Sequence, residues 1–246
     1  MRRVVVAYVA ALAFGVAAPA WAADMPVKAV VKAPPPVVTW TGCYIGGNIG
    51  GGWADKEYTD PLAVPPDPFN LGTHSPKGIV GGGQIGCDYQ AGMVVIGVQG
   101  MFQGANLRGD HLVGVDRFET RIPWIATATA RLGLAVDPKA MIYVKGGAAW
   151  VRDKETIVDL GVLEAAADVT RSGWVVGFGA EFLAWSNWSI FVEYNYMDFG
   201  NRAVIFTNFE IPPVPPTFPL NIRQSAQTLT VGANFRFGSG AVVARY

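Results

Sequence analysis

Residues 173–200 read GWVVGFGAEFLAWSNWSIFVEYNYMDFG and contain two stretches of alternating side chains, with a short turn at residues 185–187 between them. Alternate side chains of an extended strand point to opposite faces. One face of both stretches collects glycine together with Glu181 and Glu193, and the other collects large apolar side chains. The apolar face consists of Trp174, Val176, Phe178, Ala180, Phe182, Trp188, Ile190, Val192, Tyr194 and Tyr196.

This distribution is the reverse of the one in a soluble β-barrel, which buries bulky residues and exposes charge. A closed barrel in lipid has its large apolar side chains outside, because lipid is the apolar phase and the narrow lumen takes the small and polar groups. A secreted lipocalin-like binder also has eight strands, but its interior should be apolar. If three residues close the turn, Phe182 lies opposite Ile190 and Gly179 lies opposite Glu193.

Composition narrows the class of protein further. The chain has 246 residues with 19 Lys and Arg against 19 Asp and Glu, and this balance argues against nucleic acid as a partner. Hydrophobic residues make up 51% of the chain, yet beyond the N-terminus no segment approaches the ~20 apolar residues that a spanning helix needs. A helical membrane protein is therefore not expected, whereas a single β-barrel domain of this length is ordinary.

The N-terminus has the organisation of a targeting segment. Residues 1–22 combine two arginines, an apolar region at residues 4–16 and a small-x-small cleavage site at residues 20–22, which predicts a signal peptide. Residues 23–39, ADMPVKAVVKAPPPVVT, are rich in proline and follow neither period, so we expect an extended periplasmic linker.

Residues 40–246 predict an all-β fold, an eight-stranded antiparallel up-and-down transmembrane β-barrel in the outer membrane of a Gram-negative bacterium, with both termini periplasmic. Short and long connections alternate, as periplasmic turns and extracellular loops do. The tight turns are residues 90–92, 136–139 and 185–187, and the long loops are residues 54–77, 105–121, 152–171 and 200–225. The strand candidates are residues 43–53, 78–89, 93–104, 122–134, 141–151, 172–183, 188–199 and 227–237.

Assigning faces by alternation places no Lys, Arg, Asp or Glu of the central strands on the outer face. Pro123 cannot donate a ladder hydrogen bond, so we expect a bulge or the start of regular pairing there. Two aromatic girdles are expected, from Tyr89, Trp188 and Trp40 near the turns and from Trp53, Trp150 and Tyr196 near the loops.

The inward positions predict a polar network that plugs the lumen. Counted from the turns, Arg131, Lys145, Glu181 and Glu193 should meet at similar depth and pair, because an isolated charge in a narrow lumen is costly. The lumen of an eight-stranded barrel is filled by side chains, so an open channel is not expected. The network is completed by Arg236 and by a neutral layer of Asn48, Gln84 and Gln99.

Cys43 and Cys87 are the only cysteines, and export would place them in an oxidising compartment. If the first hairpin pairs Trp53 with about Gly78, Cys43 falls within one residue of facing Cys87. Facing residues of antiparallel strands lie within disulfide range, so we predict a cross-strand disulfide.

Three segments carry a resemblance to a known family. The opening WTGCYIGGNIGGGW at residues 40–53, GIVGGGQIGCDYQ at residues 78–90 and VGANFRF at residues 231–237 resemble small porin-like outer-membrane proteins with an OmpA-type β-barrel, which are surface antigens of Gram-negative bacteria. The resemblance covers residues 40–246 and implies an eight-stranded barrel of mainly structural role, sometimes described as a porin. Expected partners are outer-membrane lipids, lipopolysaccharide and the barrel-assembly machinery, with Phe237 or Tyr246 as the terminal insertion signal.

No catalytic, cofactor or metal site is predicted. The G-x-G-x-x-G match at residues 81–86 lies inside a strand pattern without a following helix, which argues against dinucleotide binding. His74, His111 and the two cysteines have no zinc-site spacing. No nucleophile, base and orienting group share a recognisable spacing, so an enzyme is not expected.

The last long loop is unusually apolar for an exposed segment. It contains Phe206, Phe209, Ile211 and Phe218 among prolines. An exposed apolar patch suggests a partner, such as a host surface, haem or another subunit. Alternatively, the loop folds back over the barrel mouth, and the sequence leaves both interpretations open.

The predicted function is structural: the barrel maintains the envelope and displays surface loops, with its lumen plugged. A small-solute porin is one alternative, which requires a distorted barrel or a larger assembly. A surface receptor or adhesin acting through the last extracellular loop is another, and an outer-membrane enzyme is a third.

Overall fold

The computed structural model of the chain describes residues 39–61, 69–114, 116–159, 162–209 and 217–237, all of which belong to the unit Pro36–Tyr246. The predicted signal peptide lies outside the described residues, as does the predicted linker except for Thr39. In these ranges no helix is both long and apolar enough to cross a membrane.

The described residues form one antiparallel sheet of nine strands, and eight of them close into a barrel because β1 pairs with β9 as well as with β3. The predicted all-β, up-and-down architecture is therefore confirmed. The strands are β1 (Gly42–Asp60), β2 (Phe69–His74), β3 (Lys77–Ala91), β4 (Val94–Val113), β5 (Asp116–Asp137), β6 (Ala140–Asp159), β7 (Val162–Trp185), β8 (Trp188–Asn208) and β9 (Thr217–Phe237).

The short strand β2 was not predicted. It pairs with the far half of β1, whereas β3 pairs with the near half, so β2 and β3 together make one wall of the barrel. Pro76 lies at the break between them and has no N–H to donate to a ladder. Its carbonyl still accepts a hydrogen bond from the Ala54 amide, at 2.9 Å.

The eight barrel strands are staggered. Ladder partners followed from Gly42 on β1 lead through Asp88, Arg131 and Lys145 and return to β1 at Gly52, ten residues farther along. Such a stagger tilts the strands against the barrel axis. Lumen partners such as Arg131 and Glu181 can therefore come from different ladder rows.

The barrel has a turn end, where tight connections follow Ala91, Asp137 and Trp185, and a loop end opposite to it. The prediction of long irregular loops is wrong for most of their length, because the strands continue almost to the loop tips. Inward and outward side chains still alternate in these extensions, but many of the outward ones are charged or polar instead of apolar. On β1, for example, Lys56 and Tyr58 point inward while Asp55 and Glu57 point outward, so a search for apolar outward faces ends too early.

A belt of exposed apolar side chains surrounds the barrel near the turn end. Residues such as Ile49, Ile85 and Phe178 are more than half exposed on it. No Lys, Arg, Asp or Glu points outward within this belt on the described strands, as predicted. Trp150 and Trp174 mark its limit toward the loop end, and charged side chains point outward beyond them.

Trp40 is a correction to the predicted girdle. Its ring is fully buried in the lumen, and the Arg236 guanidinium carbon lies 5.1 Å from the ring centroid. The residue precedes β1, and its backbone oxygen accepts a hydrogen bond from Arg236 Nη2 at 2.7 Å, which draws the segment inward.

The bulge expected at Pro123 is confirmed, since the register of β5 shifts against both β4 and β6 around it.

Candidate functional site

The hairpin of β7 and β8 places two carboxylates in the lumen. Gly179 faces Glu193 and Phe182 faces Ile190, which is the predicted register. A Cβ on Gly179 would lie 2.6 Å from the Tyr143 hydroxyl. Glycine at this position therefore gives Tyr143 the space to donate a hydrogen bond to Glu193 Oε2, at 2.9 Å.

A layer of four charged side chains fills the lumen near the turn end. Arg131 donates to Asp88 Oδ1 at 2.7 Å and to Glu181 Oε2 at 3.1 Å. Arg131 Nη2 also donates to Asp88 Oδ2, which accepts a second hydrogen bond from Arg236 at 2.5 Å, and Arg236 donates to Glu181 Oε1 at 3.0 Å. Two cations and two anions thus alternate around a closed, charge-balanced ring, which we call the lower charged layer.

Glu181 has further hydrogen bonds, from the Ser189 hydroxyl at 2.5 Å and the Asn234 amide at 3.0 Å. Both guanidinium groups also lie over the Tyr44 ring, at 4.8 and 5.1 Å from its centroid. A fully buried charge needs partners of this kind, because its desolvation is otherwise uncompensated.

Lys145 and Glu193 form a separate pair next to this layer. The Lys145 ammonium lies 2.6 Å from Glu193 Oε1 and donates to Gln99 Oε1 at 2.8 Å. Arg131 pairs with Glu181 and Lys145 with Glu193, so the predicted charges come together as two adjoining clusters rather than one. Asp88, which the predicted network lacked, is the anion that both arginines share.

Two residues of the predicted neutral layer, Asn48 and Gln84, belong to a chain of amides, whereas the third, Gln99, accepts a hydrogen bond from Lys145 instead. Gln103 donates to Asn48 at 2.6 Å, Asn48 donates to Gln84 at 2.6 Å, and Gln84 donates to Asn234 at 2.7 Å. Asn48, Gln84 and Asn234 each use both the amide N–H and the C=O, which suits a buried position with little water.

An apolar band lies beyond the amides toward the loop end. Its members are buried side chains from every wall of the barrel, so they close the cross-section. The apolar band consists of Ala54, Val80, Leu107, Ile122, Ile125, Ala149, Val151, Val175, Met197, Phe199 and Ala226.

An upper charged layer follows the apolar band. Lys56 lies 2.9 Å from Asp153 Oδ1 and also pairs with Glu155 Oε1. Arg171 Nε lies 3.4 Å from Asp153 Oδ2, so this layer also balances two cations against two anions. Sequence reasoning missed it because the residues were assigned to loops. Their alternation with outward-pointing charged residues was the available signal.

Aromatic and histidine rings stack next to the upper charged layer. The His74 ring lies 5.3 Å from the Tyr58 ring and 4.7 Å from the His111 ring. His74 Nε2 forms a hydrogen bond of 2.8 Å with Thr120 Oγ1. Burial, reinforced by repulsion from His111, lowers the pKa of His74 to about 4. His74 is therefore neutral at pH 7.

Glu155 connects these rings to the upper charged layer. Its Oε2 accepts hydrogen bonds from Tyr58 at 2.8 Å and from Thr120 at 2.5 Å. Burial by itself would raise the pKa of Glu155, but the Lys56 ammonium and these hydrogen bonds outweigh burial and hold the pKa below its usual range.

Two of the four predicted contact residues of the last loop, Phe206 and Phe218, pack in the barrel mouth. Phe206 is fully buried, and its ring stacks on that of Phe218 at 5.5 Å. These residues extend the strand pairing of β8 and β9, so they do not form an exposed patch. Phe209 is 55% exposed, and Ile211 lies outside the described residues.

A cavity of about 360 Å³ opens beside Phe218 at the mouth. Its apolar lining includes Leu71, Phe118, Ile157 and Leu220, and its polar lining includes Asp60, Asp116 and Glu164. This cavity has the size and shape to hold a small ligand.

Cys43 and Cys87 face each other on β1 and β3 and are joined by a disulfide on the outer face of the barrel.

In the described part of the chain, no three His, Cys, Asp or Glu side chains come together in a group that could hold a metal ion.

Comparison with known proteins finds one family and several relatives. A family model described as outer membrane protein beta-barrel domain matches residues 8–237. The chain is 32% identical over 253 residues to the 31 kDa outer-membrane immunogenic protein of Brucella melitensis, covering 96% of this chain and 100% of that protein. It is 26% identical over 227 residues to the 25 kDa outer-membrane immunogenic protein of Brucella abortus, covering 89% and 92%.

Among solved structures, Ail, the attachment invasion locus protein of Yersinia pestis, aligns with a TM-score of 0.38 and 16% identity, covering 80% of this chain and 99% of that one.

Proposed function

Because this chain belongs to the outer membrane protein β-barrel family, we propose that it is a structural outer-membrane protein that maintains the envelope, with its lumen sealed against solutes. In this proposal the apolar belt contacts lipid, the loop end is displayed at the cell surface, and the barrel carries no enzymatic activity. Outer-membrane lipids and the barrel-assembly machinery are its partners.

The observation that carries the proposal is the sequence of layers in the lumen. An ion entering from the turn end meets the lower charged layer, whose four charges already satisfy one another. It then meets the amide chain and the apolar band, which offers no group to replace its hydration shell. These barriers lie in series, so a continuous water path would require displacing all of them.

The orientation rests on the connections. Barrels of this kind have short periplasmic turns and longer extracellular connections. The three tight turns share one end of the barrel with the start of β1 and the end of β9. The turn end and both ends of the barrel segment are therefore assigned to the periplasm.

Planar-bilayer recording tests the seal. The purified barrel should give no stable openings, and a strain lacking the protein should become more sensitive to detergents. Reproducible openings of the unaltered barrel would replace the structural role with the alternative of a small-solute porin. An intact detergent barrier in the deletion strain would contradict a role in envelope maintenance.

A second candidate function, recognition of a surface ligand, is supported by the mouth cavity and by exposed Phe209. Replacing residues 210–216 with a glycine and serine linker of equal length, together with Phe209→Ser, preserves the paired parts of β8 and β9. Adhesion to host cells and haem binding should fall in this variant. Unchanged binding by the inserted variant would reduce the loop to a cover over the mouth.

A further inference from the structure

Four cations lie in a row on the outer face of the barrel, beyond the apolar belt. Lys77 on β3 faces Arg108 on β4, Arg108 faces Arg121 on β5, and Arg121 faces Lys154 on β6. All four residues are exposed. Like charges directly opposite each other in an antiparallel ladder destabilise it. This cationic row therefore has an unfavourable arrangement unless an anion lies against it.

The nearby carboxylates are engaged elsewhere. Asp110 and Glu119 lie two residues farther from the apolar belt than the row, and each is 3.9 Å from Arg117. Asp168 faces Lys154 at the end of the row and is close enough to act on its charge, but its two oxygens accept hydrogen bonds from Arg152, at 2.9 and 2.8 Å. None of the ion pairs between described side chains involves a member of the cationic row.

A groove of about 480 Å³ follows three members of the row, Arg108, Arg121 and Lys154, and its far side is lined by Arg117, Asp110 and Glu119. The rings of Phe102 and Trp124, 5.8 Å apart, lie on the belt side of Arg108 and Arg121. A molecule in this position meets apolar and aromatic surface on one side and cations on the next, while acidic residues lie on the far side. That order matches a lipid with an anionic head group.

We propose that the cationic row binds the phosphate groups of the outer-leaflet glycolipid, a phosphorylated sugar head group with its acyl chains along the apolar belt. Arginine side chains match phosphate with paired N–H donors, and lysines add positive charge at both ends of the row. Three inter-strand spacings span about 14 Å, which is enough for two phosphates on one disaccharide. The inference rests on the proposed orientation, in which the loop end faces outward.

The test compares two double variants of the full barrel in detergent. Arg108→Gln with Arg121→Gln removes the centre of the row. Arg202→Gln with Arg223→Gln removes the same charge from exposed positions on β8 and β9 and serves as the matched control. The probes are lipid A with its phosphates, dephosphorylated lipid A, and inorganic phosphate, each titrated by equilibrium binding.

Phosphorylated lipid A should bind the parent and the control alike and the row variant at least about tenfold more weakly, since two charge-assisted contacts are lost. Equal binding by both variants, or equal binding of dephosphorylated lipid A, would overturn the proposal. Inorganic phosphate that competes at equal phosphate concentration would assign the row to a free anion and also overturn it.

Labelling of Lys139 in intact cells by a membrane-impermeant amine reagent, read by peptide mass spectrometry, tests the orientation separately, because Lys139 is exposed at the turn end and lies outside the cationic row. Protection of Lys139 in intact cells, with labelling only after the outer membrane is opened, supports the outward-facing loop end. Labelling of Lys139 in intact cells would overturn both the orientation and the lipid assignment. The conductance experiment is unaffected by either result, so failure of the lipid site and failure of the sealed lumen remain distinguishable.

Discussion

Arg236 on β9 reaches past β1 to Asp88 on β3, where its Nη2 lies 2.5 Å from Oδ2 of a carboxylate that also pairs with Arg131. Both partners are fully buried. One aspartate therefore holds two arginines from opposite walls, and the lower charged layer depends on it for its charge balance.

Replacing Asp88 with Asn should destabilise the inserted barrel by about 3–5 kcal/mol, because two guanidinium groups would keep their burial and lose one of their two anions. Reversible urea unfolding in lipid vesicles measures the change. Asp168→Asn is the matched control, since its partner Arg152 and Asp168 itself are both exposed. A loss for Asp88→Asn no larger than for the control would show that water enters and solvates the arginines.

The disulfide between Cys43 and Cys87 closes a loop between residues 44 positions apart. In the chain-entropy model, a loop of this length contributes roughly 3–4 kcal/mol. The double change Cys43→Ser and Cys87→Ser should therefore lower the unfolding midpoint, and a reductant should lower that of the parent to the same value. If the reductant has no effect on the parent, the cysteines are not joined in the isolated protein.

Alternation was sufficient to predict the membrane hairpins, because lipid and a crowded lumen impose opposite chemistries on successive residues. The register of β7 and β8, with Gly179 opposite Glu193, followed from the turn length alone. Alternation could not assign partners within the lumen. Asp88 and Arg131 are separated by Gly97 in their ladder row, and only the close packing permitted by that glycine lets them meet.

The loop end was harder to predict for a different reason. Beyond the apolar belt the outer face becomes charged, so the pattern of Lys56, Asp153 and Glu155 resembles that of solvated loops. Those side chains point inward because paired strands continue past the belt. Strand length there depends on cross-strand contacts, such as the stack of Phe206 on Phe218, which no local pattern encodes.

The mouth of the barrel should lose stability as pH falls from about 6.5 to about 4. The pKa of His74 is about 4 in the folded protein. An unfolded chain has an ordinary histidine pKa near 6.5 and takes up the proton first, so acid favours the open state. Tyr58, His111 and Thr120 face the ring, with Lys56, Asp110 and Glu155 nearby.

Hydrogen exchange measures this effect through the protection factors of the β2 amides at pH 7.5, 6 and 4.5. In the parent, the protection factors of the β2 amides should decrease as the pH is lowered. In His74→Gln they should change less over the same pH range. Turn-end amides of β7 serve as the internal control, because the lower charged layer contains no histidine. A fall of the same size in His74→Gln would assign the pH dependence to another group.

The last prediction concerns the two kinds of seal, one charged and one apolar. Glu181→Ala removes an anion that both Arg131 and Arg236 contact, so stability should fall by about 3–5 kcal/mol. Conductance should nevertheless stay absent, because the apolar band still closes the cross-section and excludes hydrated ions. Glu181→Ala also removes the acceptor of the Asn234 amide, so it loosens one end of the amide chain. Combining it with Leu107→Ser and Ile125→Ser, which make the band polar and smaller, should therefore give stable openings in planar bilayers. The serine pair without the Glu181 change should remain closed, since the lower charged layer is then intact.

Openings with Glu181→Ala alone would show that the apolar band is no barrier. A silent triple variant that is correctly inserted would show that the amide chain and the upper charged layer are sufficient to seal the lumen.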